Sequence, residues 1–262
     1  MFLKPVFPKS ATLLAVAAVL ALAGCGSKPA APADAPRTGP ADTDYAAPPS
    51  VSEVRTVAGG VTVAGAAPPG LQVRLATPQG QAMFAIADAR GQWRLVLPPS
   101  DGPRIFGLSE KVDGRQVQAQ GYLVIGPQGR AALLRAGAGA LRLDPRPSPS
   151  VGAVDFDRDG AAVISGLAPP DSLVFLRFDG RQIAEARTDA AGRYSIALAQ
   201  PIPKGAHALE VAGDSFTNAG QVEVTPPQPL VDGPLRSQFT RGGLRVDWMT
   251  PGGGVQSTVL LD

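Results

Sequence analysis

Two stretches of this chain can be laid over one another without a gap. They are Val61–Leu97, VTVAGAAPPGLQVRLATPQGQAMFAIADARGQWRLVL, and Ala162–Leu198, AVISGLAPPDSLVFLRFDGRQIAEARTDAAGRYSIAL. The offset is 101 residues, and 12 of the 37 positions are identical. The shared residues include Gly65 and Gly166, Pro68-Pro69 and Pro169-Pro170, Val73 and Val174, Leu75 and Leu176, Asp88-Ala89 and Asp189-Ala190, and Gly91 and Gly192. Around them apolar residues alternate: Val61 and Val63; Val73 and Leu75; Trp93, Leu95 and Leu97; then Val174 and Leu176; Tyr194, Ile196 and Leu198. A period of two predicts half-buried strands. Each proline pair ends a strand and forces a turn. In DARGQW and DAAGRY the aspartate can accept nearby backbone N–H groups, and the glycine can take positive φ. The aromatic then starts an inward-facing strand. These are the mechanics of turns and strands, and they carry no chemistry of their own.

The first repeat is expected to continue through Arg104–Glu110, Gln116–Ile125 and Ala131–Leu143, and the second through His207–Val211 and Gln221–Thr225. The join DPRPSPS (Asp144–Ser150) reads as a short stiff linker. Outside the first 24 residues no segment has helical periodicity. The pattern VxGxAPPGxxVxL, a hairpin, then DAxGxW/Y and a strand resembles the bacterial Ig-like modules of cell-surface and periplasmic proteins. It is also similar to the regulatory-like β-sandwich modules found beside carboxypeptidases. The resemblance implies a seven-stranded sandwich or a close variant, and no shared active site comes with it. The expected fold class is therefore all-β: two tandem Ig-like β-sandwiches (51–143 and 151–228, with 144–150 between them) plus a C-terminal β-hairpin within 229–262, preceded by a signal peptide and a disordered tether.

The amino terminus is an address. MFLKPVFPKS carries Lys4 and Lys9, and ATLLAVAAVLALAG follows as an unbroken run of small and apolar residues. A charged segment before an apolar one is the layout of a secretory signal. Its 14 apolar residues, Ala11 to Gly24, fall short of the roughly 20 that span a bilayer. Leu22-Ala23-Gly24-Cys25 resembles the lipobox of bacterial lipoproteins, which implies cleavage between Gly24 and Cys25 and a covalent lipid on the Cys25 thiol. Cys25 is the single cysteine of the chain, and a lone thiol in an oxidising compartment is otherwise a liability. With Gly26 rather than aspartate next in line, the enterobacterial sorting pattern implies the outer membrane, lipid-anchored and facing the periplasm. Residues 25–50, rich in Ala and Pro with almost no bulky apolar side chains, read as a tether. In polyproline form the 25 residues from Gly26 to Ser50 reach about 75 Å.

Removing residues 1–24 leaves 22 basic against 22 acidic side chains. Such a balance offers no basic field to attract nucleic acid. Hydrophobic residues are 44% of the chain, enough for a core, while 31 glycines and 27 prolines favour many turns over long helices.

In the tail, LRVDWMT (Leu244–Thr250), PGGG and VQSTVLL (Val255–Leu261) predict a β-hairpin with Leu244, Val246 and Trp248 on one face. An isolated hairpin is marginal in water. It must pack on a sandwich, pair with a sheet edge or bind a partner, and Trp248 is the candidate partner-binding residue. PGGG lacks the GK[ST] of a phosphate loop.

The stretch DFDRDG (Asp155–Gly160) suggests calcium, with Asp155, Asp157 and Asp159 at positions 1, 3 and 5 of an EF-hand loop. Position 12 would be Gly166, where a bidentate glutamate is required. In the repeat alignment the three aspartates fall opposite Val54, Thr56 and Ala58. The reading favoured here is a hairpin turn at Asp159-Gly160.

Catalytic signatures are missing from the sequence. His207 is the sole histidine and falls on a strand; there is no GxSxG elbow and no HExxH helix. The expected activity is non-catalytic binding, spacing or scaffolding at the bacterial envelope, without a cofactor beyond the Cys25 lipid. Its partners would be the membrane through that anchor and an envelope protein or cell-wall glycan. Two other classes stay open on sequence alone: an enzyme or accessory module acting on wall glycan or peptide, and a calcium-stiffened adhesion module.

Overall fold

The gapless alignment survives folding strand by strand. The computed structural model describes residues 46–262. The first repeat supplies β1 (Ser50–Val57), β2 (Gly60–Ala66), β3 (Gln72–Ala76), β4 (Ala82–Ile86), β5 (Gln92–Leu97), β6 (Arg104–Val112) and β7 (Arg115–Ile125). Two short strands follow, β8 (Ala131–Leu134) and β9 (Leu141–Arg142). The second repeat supplies β10 (Ser150–Phe156), β11 (Ala162–Leu167), β12 (Leu173–Phe178), β13 (Arg181–Arg187), β14 (Arg193–Ala197), β15 (Gly205–Gly213) and β16 (Phe216–Val224). The tail forms β17 (Leu235–Thr240), β18 (Gly243–Met249) and β19 (Val255–Leu261). The only helical piece among the described residues is a 3-10 turn at Pro127–Gly129. The signal segment 1–24, the Gly24–Cys25 junction and most of the 25–50 tether lie outside the described residues.

Each repeat is the seven-stranded sandwich implied by the resemblance. In the first, β1-β2-β5 faces β4-β3-β6-β7, and the second sheet is continued by β8-β9. In the second, β14-β11-β10 faces β13-β12-β15-β16, and the first sheet is continued by β19-β18-β17. All pairings are antiparallel, including that of β10 with β19. The tail hairpin thus pairs with a sheet edge, and it also packs on the other repeat.

That packing produces four layers with three interiors. Val54, Val63, Trp93, Phe106, Leu108 and Leu123 fill the first interior. Val154, Phe156, Ile164, Leu176, Tyr194 and Val211 fill the third. The middle interior joins the repeats: Ile105, Val124, Ala132 and Leu134 from the first meet Ala153, Leu244, Val246, Trp248 and Leu260 from the second repeat and tail. Side-chain alternation explains the assignment. On β7, Leu123 and Ile125 face the first interior while Tyr122 and Val124 face the middle one. Strands covered on both faces lose the polar-out pattern, and β10 is buried along its whole length.

One turn recurs five times. It opens at Thr77, Asp88, Asp157, Asp189 and Thr250, and closes three residues later on Gly80, Gly91, Gly160, Gly192 and Gly253, whose φ values run from 74 to 88°. In each, the glycine N–H donates to the first residue's carbonyl, and the first residue's N–H donates to the carbonyl of the fifth. This is a type I turn closed by a left-handed glycine; at Thr77, Asp157 and Thr250 it connects a hairpin, and at Asp88 and Asp189 it carries the chain from one sheet to the other. In the three aspartate versions Oδ1 also accepts the N–H groups two and four residues on, at 2.8–2.9 Å.

The repeats differ in register at three places, one of them a bulge between Leu176 and Arg177 where β12 meets β13, which β3 and β4 lack. Val51 pairs with Gly65 and Val151 with Gly166, each followed by a bulge, so β1 and β10 are offset by 100 residues rather than 101. The partner of Asp155 in the first repeat is therefore Arg55, and the gapless alignment with Val54 is corrected by one position. On β7, Gly107 pairs with Tyr122 but Ser109 pairs with Gln118, a bulge the second repeat lacks. It lies where β7 passes from a solvated outer face to the middle interior.

Candidate functional site

The three aspartates of DFDRDG are not brought together: the stretch is the end of β10 followed by a turn, the reading favoured from the sequence. Asp157 spends its carboxylate on its own turn, accepting N–H groups from Asp159 and Ala161. Asp159 stays exposed. Asp155 sits on β10, 1% exposed, and shares a face with Ala153 towards the first repeat. Its Oδ2 accepts the Ala140 N–H at 2.7 Å; its Oδ1 accepts the Thr258 hydroxyl at 2.5 Å and the Gln256 amide at 3.3 Å. Among the described residues no group of three or more His, Cys, Asp or Glu side chains could hold a metal ion.

Trp248 is corrected. It is fully buried and offers no surface to a separate partner. Its indole meets Tyr122 edge-on, with centroids 6.1 Å apart and planes at 76°, and its Nε1–H donates to Thr258 Oγ1 at 3.1 Å. What it binds is the other repeat of its own chain. An aromatic with an N–H suits a buried seam that supplies one acceptor.

His207 is a framework residue. Its Nδ1 is 2.8 Å from Asp179 Oδ2, its Nε2 is 3.0 Å from Pro203 O, and its ring packs on Phe178 at 4.5 Å. Hydrogen bonds from His207 and from the Ala208 N–H hold the Asp179 carboxyl below its ordinary range.

Of two further polar networks, one ties the seam and the other ties the tail to the second repeat. Arg142 donates to both oxygens of Asp144, at 2.8 and 2.6 Å, and its Nη1 reaches Gly152 O and Leu261 O. One guanidinium thus holds the end of the first repeat, the first strand of the second and the last strand of the tail. On the other face of β18, Arg245 donates to Asp247 at 2.8 Å, to Ser257 and to the Thr225 carbonyl and hydroxyl, with its plane over Phe156. Asp247 also accepts Arg236 at 2.6 Å and Ser257 at 2.7 Å. Burial alone would raise the Asp247 pKa, but these donors hold it below the usual range. Sequence reading missed these networks. The available signal was a polar residue between each pair of apolar ones in LRVDW, on a strand whose second face also needed a cover.

A groove of about 560 Å³ opens between the outer face of β6–β7 and the tail loop. Arg74, Ser109, Gln116, Gln118, Tyr122 and Met249 lie along it. It holds amides, hydroxyls, a guanidinium and aromatic rings, and neither carboxylate, imidazole nor thiol. These groups can bind by hydrogen bonding and stacking, and they supply no acid–base pair.

No protein-family model matches the chain, and no curated protein matches it either. Among solved structures the chain is similar to a biofilm associated protein, BSP domain, at 14% identity and a TM-score of 0.26, over 70% of this chain and 30% of that one. It is also similar to the central fibronectin-III array of RIM-binding protein, at 13% identity and a TM-score of 0.25, over 83% of this chain and 89% of that one. The chain thus spans under a third of the first of these. At such scores the likeness carries nothing about function.

Proposed function

We propose that this chain is a non-catalytic protein of the bacterial envelope. It is held in the outer membrane by a lipid on Cys25, faces the periplasm, and acts as a rigid spacer that presents the β6–β7 groove to cell-wall glycan. The observation that carries this reading is the middle interior. Two flexibly strung modules would need no shared core, whereas here the tail's apolar face welds them into one body. A rigid body at the end of a long tether keeps a binding face at a defined distance from its own base, and anchoring raises its effective concentration near the wall. The amides of Gln116 and Gln118 with the Tyr122 ring suit a polyhydroxylated ligand.

The test has two arms. Mass spectrometry of the membrane-extracted protein should find an acylated Cys25 at the amino terminus, and Cys25→Ser should leave the membrane fraction. Purified wall sacculi should sediment with the protein, and Gln116→Ala/Gln118→Ala should abolish that. An unmodified Cys25 sinks the anchor, and equal sedimentation of the double variant sinks the groove.

A further inference from the structure

A second cleft, of about 310 Å³, opens where the chain leaves the first repeat. One wall is the segment 135–146; the other is the edge formed by β11 and β14. Arg135, Arg142, Arg146 and Arg193 line it, against a single lining carboxylate, Asp189. Every acid nearby is already engaged. Asp189 Oδ1 closes its own turn. Asp144 holds Arg142 and the Ala131 N–H, and Asp262 holds Arg130 at 2.6 Å.

The arginines are engaged unequally. Arg142 makes four hydrogen bonds, two of them to Asp144. Arg135 reaches only the carbonyls of Gly139 and Ala138. Among the described residues, Arg146 and Arg193 have no ion pair, and the Arg146 Nε is buried without any hydrogen-bond partner. Ser150, 2% exposed, lines the same cleft, and its hydroxyl is buried and likewise unpartnered. The loop opposite is pinned: Ser165 and Ser195 donate to the carbonyls of Ala140 and Ala138, and Tyr194 donates to Ser150 O. A guanidinium stays charged in proteins, so a half-buried one without an acceptor is an unmet demand for an anion. Guanidinium groups around a concave wall with a free hydroxyl match the oxygens of a carboxylate or phosphate.

We propose that this cleft binds a small oxyanion, a phosphate or carboxylate group, with Arg146 as the central ligand, Arg193 and Arg135 at its rim and the Ser150 hydroxyl as a neutral donor. The site is separate from the groove and independent of the anchor. Its ligand is either a free anion or the charged group of a sugar.

The experiment is calorimetric and thermal-shift titration of the full-length chain at low salt with inorganic phosphate, glucose 6-phosphate, glucuronate and, as the neutral control, glucose. Phosphate and at least one charged sugar should bind and raise Tm, and glucose should do neither. Tighter binding of a charged sugar than of phosphate assigns a glycan group; equal binding assigns the free ion. Arg146→Met should weaken binding by about ten-fold or more. Without ligand it should melt no lower than wild type, because it removes an uncompensated buried charge. The exposed Arg193→Gln, which carries no folding risk, should weaken binding by a few-fold. No binding of any oxyanion at millimolar concentration, or equal binding by both variants, overturns the proposal.

Discussion

Asp155 accepts the backbone N–H of Ala140 at 2.7 Å across the seam between the repeats, and this one carboxylate sets a pH dependence for the whole body. Burial pushes its pKa up to about 6 from 3.8, even though Thr258, Ala140, Gln256 and the Arg135 charge pull the other way. A raised folded-state value means that the folded chain holds this proton more tightly than the unfolded one. Stability from this group is greatest below about pH 4, falls as pH rises towards 6, and is then level; the difference is about 3 kcal/mol. Asp247 acts with opposite sign, losing its contribution below pH 4. Denaturant unfolding between pH 4 and 7 should therefore show highest stability near the acid end. Asp155→Asn should remove most of that slope, since Thr258 can rotate and Gln256 can flip to suit an amide. The remaining slope belongs to Glu110, whose buried and unpartnered carboxylate is also raised by burial. A slope unchanged in Asp155→Asn would show that the carboxylate is not buried at the seam.

Trp248→Ala tests whether the middle interior joins the repeats. Removing a fully buried tryptophan costs about 3–5 kcal/mol. The loss falls on the layer between the two sandwiches, each of which keeps its own core. Calorimetry should show one cooperative transition for wild type and two for Trp248→Ala, with the layers holding Phe106 and Phe156 melting apart. A single transition with a Tm drop of under about 2 °C would mean that the seam is held elsewhere.

The division between what the sequence showed and what it hid follows from these contacts. Trp93 and Tyr194 could be placed inward from alternation because β5 and β14 each keep one buried and one exposed face. Leu244, Val246 and Trp248 could be put on one face for the same reason. Their cover could not be read, because a period of two identifies a buried face without identifying what buries it. Tyr122–Ile125 carried a hint, since GYLVI breaks the alternation that RQVQAQ keeps, as a strand covered on both sides must. The aspartates of DFDRDG are two apart, the spacing that in a strand directs side chains to one face. Asp155 is the last residue but one of β10, whereas Asp157 begins the turn, and the face is lost between them. Arg146 and its cleft were invisible because the residues that enclose it lie up to 60 positions apart.

The turn at Asp157 should behave as its relatives at Asp88 and Asp189 do. In each, one carboxylate oxygen accepts two backbone N–H groups. Alanine at any of the three should cost about 1 kcal/mol, whereas Asp159→Ala, exposed and without such bonds, should stay within about 0.5 kcal/mol. Calcium at millimolar concentration should leave the Tm of wild type unchanged. A calcium-dependent rise that is lost in both Asp157→Ala and Asp159→Ala would restore the metal loop.

Gly166 and Gly180 separate two reasons for a glycine. At Gly166 a Cβ would lie 2.1 Å from Ser150 O and 2.4 Å from the Tyr194 hydroxyl, and both atoms belong to the hydrogen bond that closes the second sandwich. Gly65 repeats the arrangement with Ser50 O and the Trp93 ring. At Gly180 nothing lies within 4 Å, but φ is +78°, where an L side chain is strained. Gly180→Ala should thus cost about 1–2 kcal/mol through backbone strain alone. Gly166→Ala should cost about 3 kcal/mol, because a carbonyl paired between β10 and β11 has nowhere to go. Tyr194→Phe, which removes only the hydroxyl, should cost about 1 kcal/mol. Added to Gly166→Ala it should recover little, since the contact with Ser150 O remains. Full recovery in the double variant, measured by denaturant unfolding, would place the clash on the tyrosine and not on the strand backbone.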